Sequence, residues 1–532
     1  MKPRPVNLAG RIAGALALLI LVVAVKASAA NLFESDAALA PGNRIDGLVL
    51  ADLQALKIQP ARVCSDAVFV RRVYLDVTGT LPTALEAENF ILDSSPDKRR
   101  VLIDRLLERD EFADYLSMKW SDLLRVKAEF PINLWPNAAQ AYHHWVRDCV
   151  KNNMPYDQFV RDLLTASGSN FSAPQVNFYR ALQSKTPPAI AQAVALTFMG
   201  TRIEKWPEAQ RQNLAAFFSN VGYKSTLEWK EEIIYFDPAS TNAQAVAGAP
   251  RRATFPDGTT VTLAPDKDPR AVFAGWLTAP KNPWFARNFV NREWSWLLGR
   301  GIIQEPDDIR PDNPPANPQL LAYLENELVS SGYDLKHIYR LILNSKTYQL
   351  SSIPETSDPR GAAHFAFYPL RRLDAEVLID AVDQITGTNE NYSSEIPEPF
   401  TFIPAGQRSI ALPDGSITSS FLEMFGRPPR DTGLESERNN RVTAAQKLWL
   451  LNSSQLQRKV EQSRMIQFQT TANRTPEGIA NAMYLGILSR FPTADELKIA
   501  ENYFQTGGLN KRAAAVDLAW TLINSDEFLF RH

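Results

Sequence analysis

Cysteine is scarce in this chain: Cys64 and Cys149 are the two thiols in 532 residues. A zinc site built on two thiols would need histidines at ligand spacing as well. The five histidines, His143, His144, His337, His364 and His532, contain no H-x-x-x-H spacing, so no metal site is expected. No G-x-S-x-G string, phosphate loop or zincin motif occurs, which removes the commonest signed routes to hydrolysis. A surplus of basic charge is missing too. Lys and Arg number 57 against 59 Asp and Glu, a net charge of −2. Removing the first 29 residues with Lys2, Arg4, Arg11 and Lys26 takes it to −6. A nucleic-acid partner is therefore not expected. The apolar run over residues 12–25 falls short of the ~20 residues that a membrane span needs.

What is present reads as an exported globular protein. Hydrophobic residues make up 45% and charged residues 22%, ordinary for a folded chain. The basic start, the short apolar run and Ala27-Ser28-Ala29 together form a secretory signal over residues 1–29. The expected location is periplasmic or secreted, with membrane contact only through an uncleaved signal. In that compartment Cys64 and Cys149 could pair, worth roughly 4 kcal/mol on the chain-entropy model. Two buried free thiols are the other reading.

Apolar spacing predicts a mainly α fold: a multi-helical, two-half architecture with a small β insert between the halves. Ile45, Leu48, Val49, Leu53 and Leu56 mark one amphipathic helix; Phe69, Val70, Val73 and Tyr74 mark the next. Thr83 with Glu86 reads as a capping box. Residues 44–223 form the first helical half and 268–532 the second. Between them, residues 224–267 carry β-prone runs around Asp257-Gly258, a hairpin signal. Residues 390–431 form a long irregular stretch with six prolines, and loops of that length tend to be functional.

The chain also repeats itself. Tyr74-Leu75, Leu81-Pro82-Thr83-Ala84, Glu88-Asn89-Phe90 and Arg109-Asp110-Glu111-Phe112 match Tyr484-Leu485, Phe491-Pro492-Thr493-Ala494, Glu501-Asn502-Tyr503 and Ser525-Asp526-Glu527-Phe528. A looser echo of the second part runs from Asn317-Pro318 to Tyr348. Such units bury their faces on one another.

Several strings carry a family resemblance. They include Phe69-Val70-Arg71-Arg72-Val73-Tyr74-Leu75-Asp76, Pro155-Tyr156-Asp157-Gln158-Phe159, Asn282-Pro283-Trp284-Phe285-Ala286-Arg287, Val290-Asn291-Arg292-Glu293-Trp294 and Arg371-Arg372-Leu373-Asp374-Ala375-Glu376. Their order resembles the planctomycete cytochrome-associated proteins that pair two domains of unknown function, 1549 and 1553. The resemblance implies a C-x-x-C-H stretch in relatives after residues 198–204, where this chain has Lys205-Trp206-Pro207-Glu208. It also implies a C-x-C-E-R string where this chain has Leu434-Glu435-Ser436-Glu437-Arg438. Both thiol pairs are missing, as if one metal or redox site had been lost with the scaffold retained. Haem bonded through those thiols is ruled out, and no cofactor is expected.

From the resemblance and from charge, an inward cluster is expected of Arg71, Arg72, Asp76, Asn291, Arg292, Trp294, Arg372, Asp374 and Glu376. The bland reading of Arg72 with Asp76, and of Arg372 with Glu376, is an ion pair along one helix. The sharper reading is recognition of a carboxylate, sulfate or sugar. Trp294 and Trp296 are core or groove wall; Asp307-Asp308 is a turn or a weak Ca²⁺ candidate. The first functional expectation is a haem-free scaffold that binds another exported protein or an anionic polymer. The alternative is a glycan-directed hydrolase using Asp76 or Asp374 in a Trp-lined cleft, and a third is non-covalent haem on His143 or His144.

Overall fold

The structure, a computed structural model, describes residues 30–240, 251–471, 474–506 and 510–532. The expected signal over residues 1–29 lies outside them. The described residues are mainly helical and form three small sheets. Local chemistry sets most helix ends. Asn43 and Asp46 form a capping box on the helix Arg44–Leu56, and Thr83 with Glu86 form the expected one on Ala84–Leu92. Asn282 caps by accepting from the amides of Trp284 and Phe285, so the helix starts at Phe285 rather than at Pro283. Gly299, at φ +72°, ends that helix in the left-handed conformation glycine tolerates best.

Small β elements form between the helical halves, but the first sheet also draws Gly168–Ser169 and most of Val221–Ser225 from the expected first half. β1 (Gly168–Ser169), β3 (Glu232–Phe236) and β2 (Val221–Ser225) make one antiparallel sheet in that order. β4 (Arg251–Thr254) and β5 (Thr260–Leu263) make the Asp257-Gly258 hairpin. β6 (Arg371–Arg372) pairs with β7 (Phe530–Arg531), which the sequence did not announce. Two apolar cores result. The larger crosses from Ile45 to Tyr368, and so runs from the first half into the second. The smaller takes Leu373 to Leu529 and receives Leu75, Leu81, Tyr115 and Met118 from the first half.

The internal repeat has a physical counterpart. In the first copy Arg109 lies over the Tyr74 ring, 5.6 Å from its centroid, and binds Glu86 at 2.9 Å and Glu111 at 3.0 Å. In the second, Arg490 lies over Tyr484 at 5.1 Å and binds Glu496 at 2.7 Å and Glu527 at 2.6 Å. The capping glutamate, the later glutamate and the tyrosine correspond; the arginine has moved to another point of the chain and kept its place in space. The turn before each cap is left-handed, at Gly79 (φ +61°) and Ser489 (φ +60°). Arg71 joins the copies by donating to the Ile487 and Phe528 carbonyls at 2.8 and 2.9 Å.

Removing one partner from a buried ion cluster leaves the others unpaired and is strongly destabilising; the same change near solvent is mild. Arg490 is 6% exposed and Arg109 31%. Arg490→Leu is expected to lower unfolding free energy by about 3 kcal/mol and Arg109→Leu by less than about 1 kcal/mol, measured by urea denaturation. Equal effects would contradict the difference drawn between the two clusters.

Candidate functional site

The seam between the cores is built from charge. In the β6–β7 ribbon Arg371 stands directly opposite Arg531. Two acids neutralise them, Asp76 on the helix Asp66–Val77 and Asp374 just beyond β6. Asp76 accepts from Tyr348 and Tyr368 hydroxyls at 2.9 and 2.8 Å and lies 3.4 and 3.5 Å from Arg371 and Arg531. Asp374 accepts from the Tyr115 hydroxyl at 2.8 Å, Lys119 at 2.9 Å, Arg531 at 3.1 Å and the Asn440 amide at 2.6 Å. Burial pushes its carboxyl up, but Lys119, Arg531 and Arg438 outweigh that and hold it well below the usual range.

A second tier surrounds this pair. Glu376 takes two bonds from Arg438, at 2.7 and 3.1 Å, with Arg427 at 3.6 Å. Asp122 takes Arg430 at 2.9 Å and Arg438 at 2.6 Å. Arg292 pairs with Asp307 at 2.9 Å and Glu435 at 3.3 Å. Residues 390–431 are the strap that supplies Arg427 and Arg430 to this tier. Asp414 fastens it by accepting from the Ala128 amide at 2.9 Å.

Several expectations need correcting. Arg72 does not pair with Asp76: it donates to the carbonyls of Tyr348, Leu350 and His532 and lies 3.8 Å over the Tyr368 ring. Arg372 is on a strand, not a helix, and binds the carbonyls of Asn439 and Asn440, so Glu376 is left to Arg438. Trp294 is fully buried edge-on to Phe365 and walls no groove. Asn291 clamps the loop after its helix through both Ile303 backbone groups. Cys64 and Cys149 are both free and buried. Cys64 sits by Gln349, whereas Cys149 faces an apolar hollow with Trp120, Met154 and Phe159, and burial pushes its thiol up to about 12. Asp307 is spent on Arg292 and Asp308 on Arg310. His143 is enclosed 3.1 Å from the Ser121 hydroxyl, and burial keeps it neutral. His144 points to solvent.

One edge of the network opens. A small cleft, open to solvent, is lined by Lys119, Asp122, Leu123, Trp296, Pro428, Leu434, Glu435 and Arg438. The Trp296 indole donates to Glu435 at 2.8 Å, and the Glu435 amide donates to Asp307 at 2.6 Å. Burial raises the Glu435 carboxyl against the pull of Arg292, and burial lowers the Lys119 ammonium against the pull of Asp374. Lys119 was legible in principle: it interrupts the apolar stripe of Phe112, Leu116 and Leu123 on its helix. Arg438 and Arg531 carried no local signal.

With this geometry in place, two family models account for most of the chain. One, described as a protein of unknown function, DUF1549 (PSCyt2), matches residues 44–222. The other, likewise of unknown function, DUF1553 (PSD1), matches residues 269–504. The chain belongs to the family that joins these two domains. No curated protein and no solved structure matches it. Both domains build the cleft: the DUF1549 segment brings Lys119 and Asp122, and the DUF1553 segment brings Trp296, Glu435 and Arg438.

Glu293 behind the cleft gives a pH test. It accepts from the Tyr339 hydroxyl at 2.7 Å, and burial pushes its carboxyl up to about 8. The folded chain thus holds this proton while the unfolded chain has released it. Its contribution therefore falls as pH rises from about 4.5 to about 8, then levels. Glu293→Gln, which keeps the shape of the protonated acid, is expected to be more stable than the parent at pH 8 by a few kcal/mol and equal to it at pH 4.5. Thermal unfolding at both pH values checks this; a parallel offset at both would contradict it.

Proposed function

We propose that the protein is an exported, haem-free component of the cell envelope that works by binding, and that the cleft beside Trp296 grips its partner. The observation that carries this is how the charges are spent. Asp76 and Asp374 are buried and engaged by donors inside the seam. Trp296, Lys119, Glu435 and Arg438 combine an aromatic face with charges of both signs at an opening of this network. The opening suits one side chain or terminal group of another exported protein, or one acidic unit of an anionic polymer, with Lys119 and Arg438 as donors. Among the described residues no helix is long and apolar enough to cross a membrane.

Purification of the tagged protein from its native envelope tests this reading. A stoichiometric partner is expected with the parent, and its loss with Leu434→Trp, which fills the cleft from its rim without adding a charge beside the ion pairs. Retention of the partner by Leu434→Trp would move the binding surface elsewhere.

Hydrolysis is the second reading, on different acids from those first expected. Glu435 is pushed toward its protonated form while Asp122, between two arginines, is held ionised. Two carboxyls driven apart in this way can divide into acid and base. Under this reading the pure protein cleaves a glycan or ester unaided, and Glu435→Gln lowers kcat at least about 100-fold. A panel of such substrates without turnover removes it.

A further inference from the structure

A separate feature lies away from the cleft, where three segments meet. Trp135 ends the loop 127–135, Trp229 precedes β3, and Phe400 comes from the strap. Trp135 and Trp229 stand edge-on, centroids 6.1 Å apart at 84°, and Phe400 meets Trp135 at 5.3 Å and 61°. Trp229 is 66% exposed and Phe400 47%. Rings facing solvent at such angles enclose a corner rather than a flat patch.

That corner already holds an ammonium group. Lys230 Nζ lies 5.0 Å from the Trp135 ring centroid and 5.2 Å from that of Trp229. Among the described residues it makes no ion pair, although Glu228 and Glu231 flank it in sequence. Its partners are the ring faces, whose negative quadrupole attracts a cation. Glu231 is engaged by Ser169 and Thr226. Glu129 is engaged by Ser394 and the Glu395 amide, which ties the loop to the strap. Glu228, beside Trp229, and Glu395 and Glu398, on the strap, remain exposed, and their sign suits a cation.

The backbone is bent to make the corner. Trp135 has φ +74° and Lys230 φ +61°, both in the left-handed region that bulky residues rarely adopt. Such conformations persist where the surroundings impose them, and they gather at ligand sites.

We propose that Trp135, Trp229 and Phe400 form an aromatic cage for the ammonium group of an organic cation, and that Lys230 caps the cage from within until that ligand displaces it. The proposal is independent of the cleft beside Trp296. Both lysine side chains of another protein and free quaternary amines present the required chemistry. Because Lys230 occupies the cage, apparent affinity is reduced by the fraction of molecules in which it has swung out.

The test uses the full chain labelled with 5-fluorotryptophan, with the Trp229 signal assigned through Trp229→Phe. Nα-acetyl-lysine amide, tetramethylammonium and the neutral Nα-acetyl-norleucine amide are titrated into the parent and into Lys230→Ala. The expected result is a saturable shift of the Trp229 signal by the cations and none by the neutral analogue. The midpoint in Lys230→Ala should fall at least about five-fold below the parent's, and Phe400→Ala should weaken it again. Tighter binding of the lysine derivative assigns the cage to a polypeptide; tighter tetramethylammonium assigns it to a free quaternary amine. No shift in Lys230→Ala, or an equal shift by the neutral analogue, overturns the proposal.

Discussion

Arg371 and Arg531 face each other across a two-residue ribbon, and the seam is arranged to make that tolerable. Like charges directly opposite on a ribbon repel, and buried guanidinium groups are expensive unless paired. Asp76 and Asp374 supply the pairing from opposite sides. Each is itself bound by tyrosine hydroxyls that approach from other elements. Fixing these acids fixes where four stretches of chain meet: the helix Asp66–Val77, the helix Asp110–Leu123, the ribbon and the segment that carries Arg438 and Asn440. The cleft exists because the last tier of this arrangement, Lys119 with Arg438 and Glu435, reaches the surface before it closes.

The repeat shows the same logic on a smaller scale. A tyrosine ring, an arginine and two glutamates recur at both ends of the chain, yet Arg109 and Arg490 do not correspond in sequence. What persists is the position of a charge between two carboxylates beside a ring. Geometry of this kind tolerates exchange of the residue that supplies the cation, provided the guanidinium fork reaches the same place.

Features decided within a few residues were legible in advance. Thr83 with Glu86, the Asp257-Gly258 hairpin and the helical periods follow from local bonding, and the structure has them. Partner choice among charges was not legible. Arg72 and Asp76 are one helical turn apart, but each turns to a different element. Asp76 meets Arg371 and Arg531 from far along the chain, and Arg72 meets backbone carbonyls. Trp294 and Trp296 share a helix and differ by about half a turn, so one faces the core and the other the opening. Nothing local says which. Of the residues expected in the cluster, Asp76, Arg292, Asp374 and Glu376 hold ion pairs in the network, whereas Arg71, Arg72 and Arg372 bind backbone carbonyls; Lys119, Asp122, Glu435, Arg438 and Arg531 supply the other charges.

Because Asp76 and Asp374 tie the two cores together through this charged seam, the cores are expected to unfold as one. Scanning calorimetry of the parent and of Asp374→Asn tests it most directly. The account predicts one transition for the parent, with calorimetric and van't Hoff enthalpies in agreement. For Asp374→Asn, which leaves Lys119 and Arg531 short of a counter-charge, it predicts two separated transitions, the lower one several degrees below the parent's. Two transitions in the parent, or an unchanged single transition in Asp374→Asn, would contradict it.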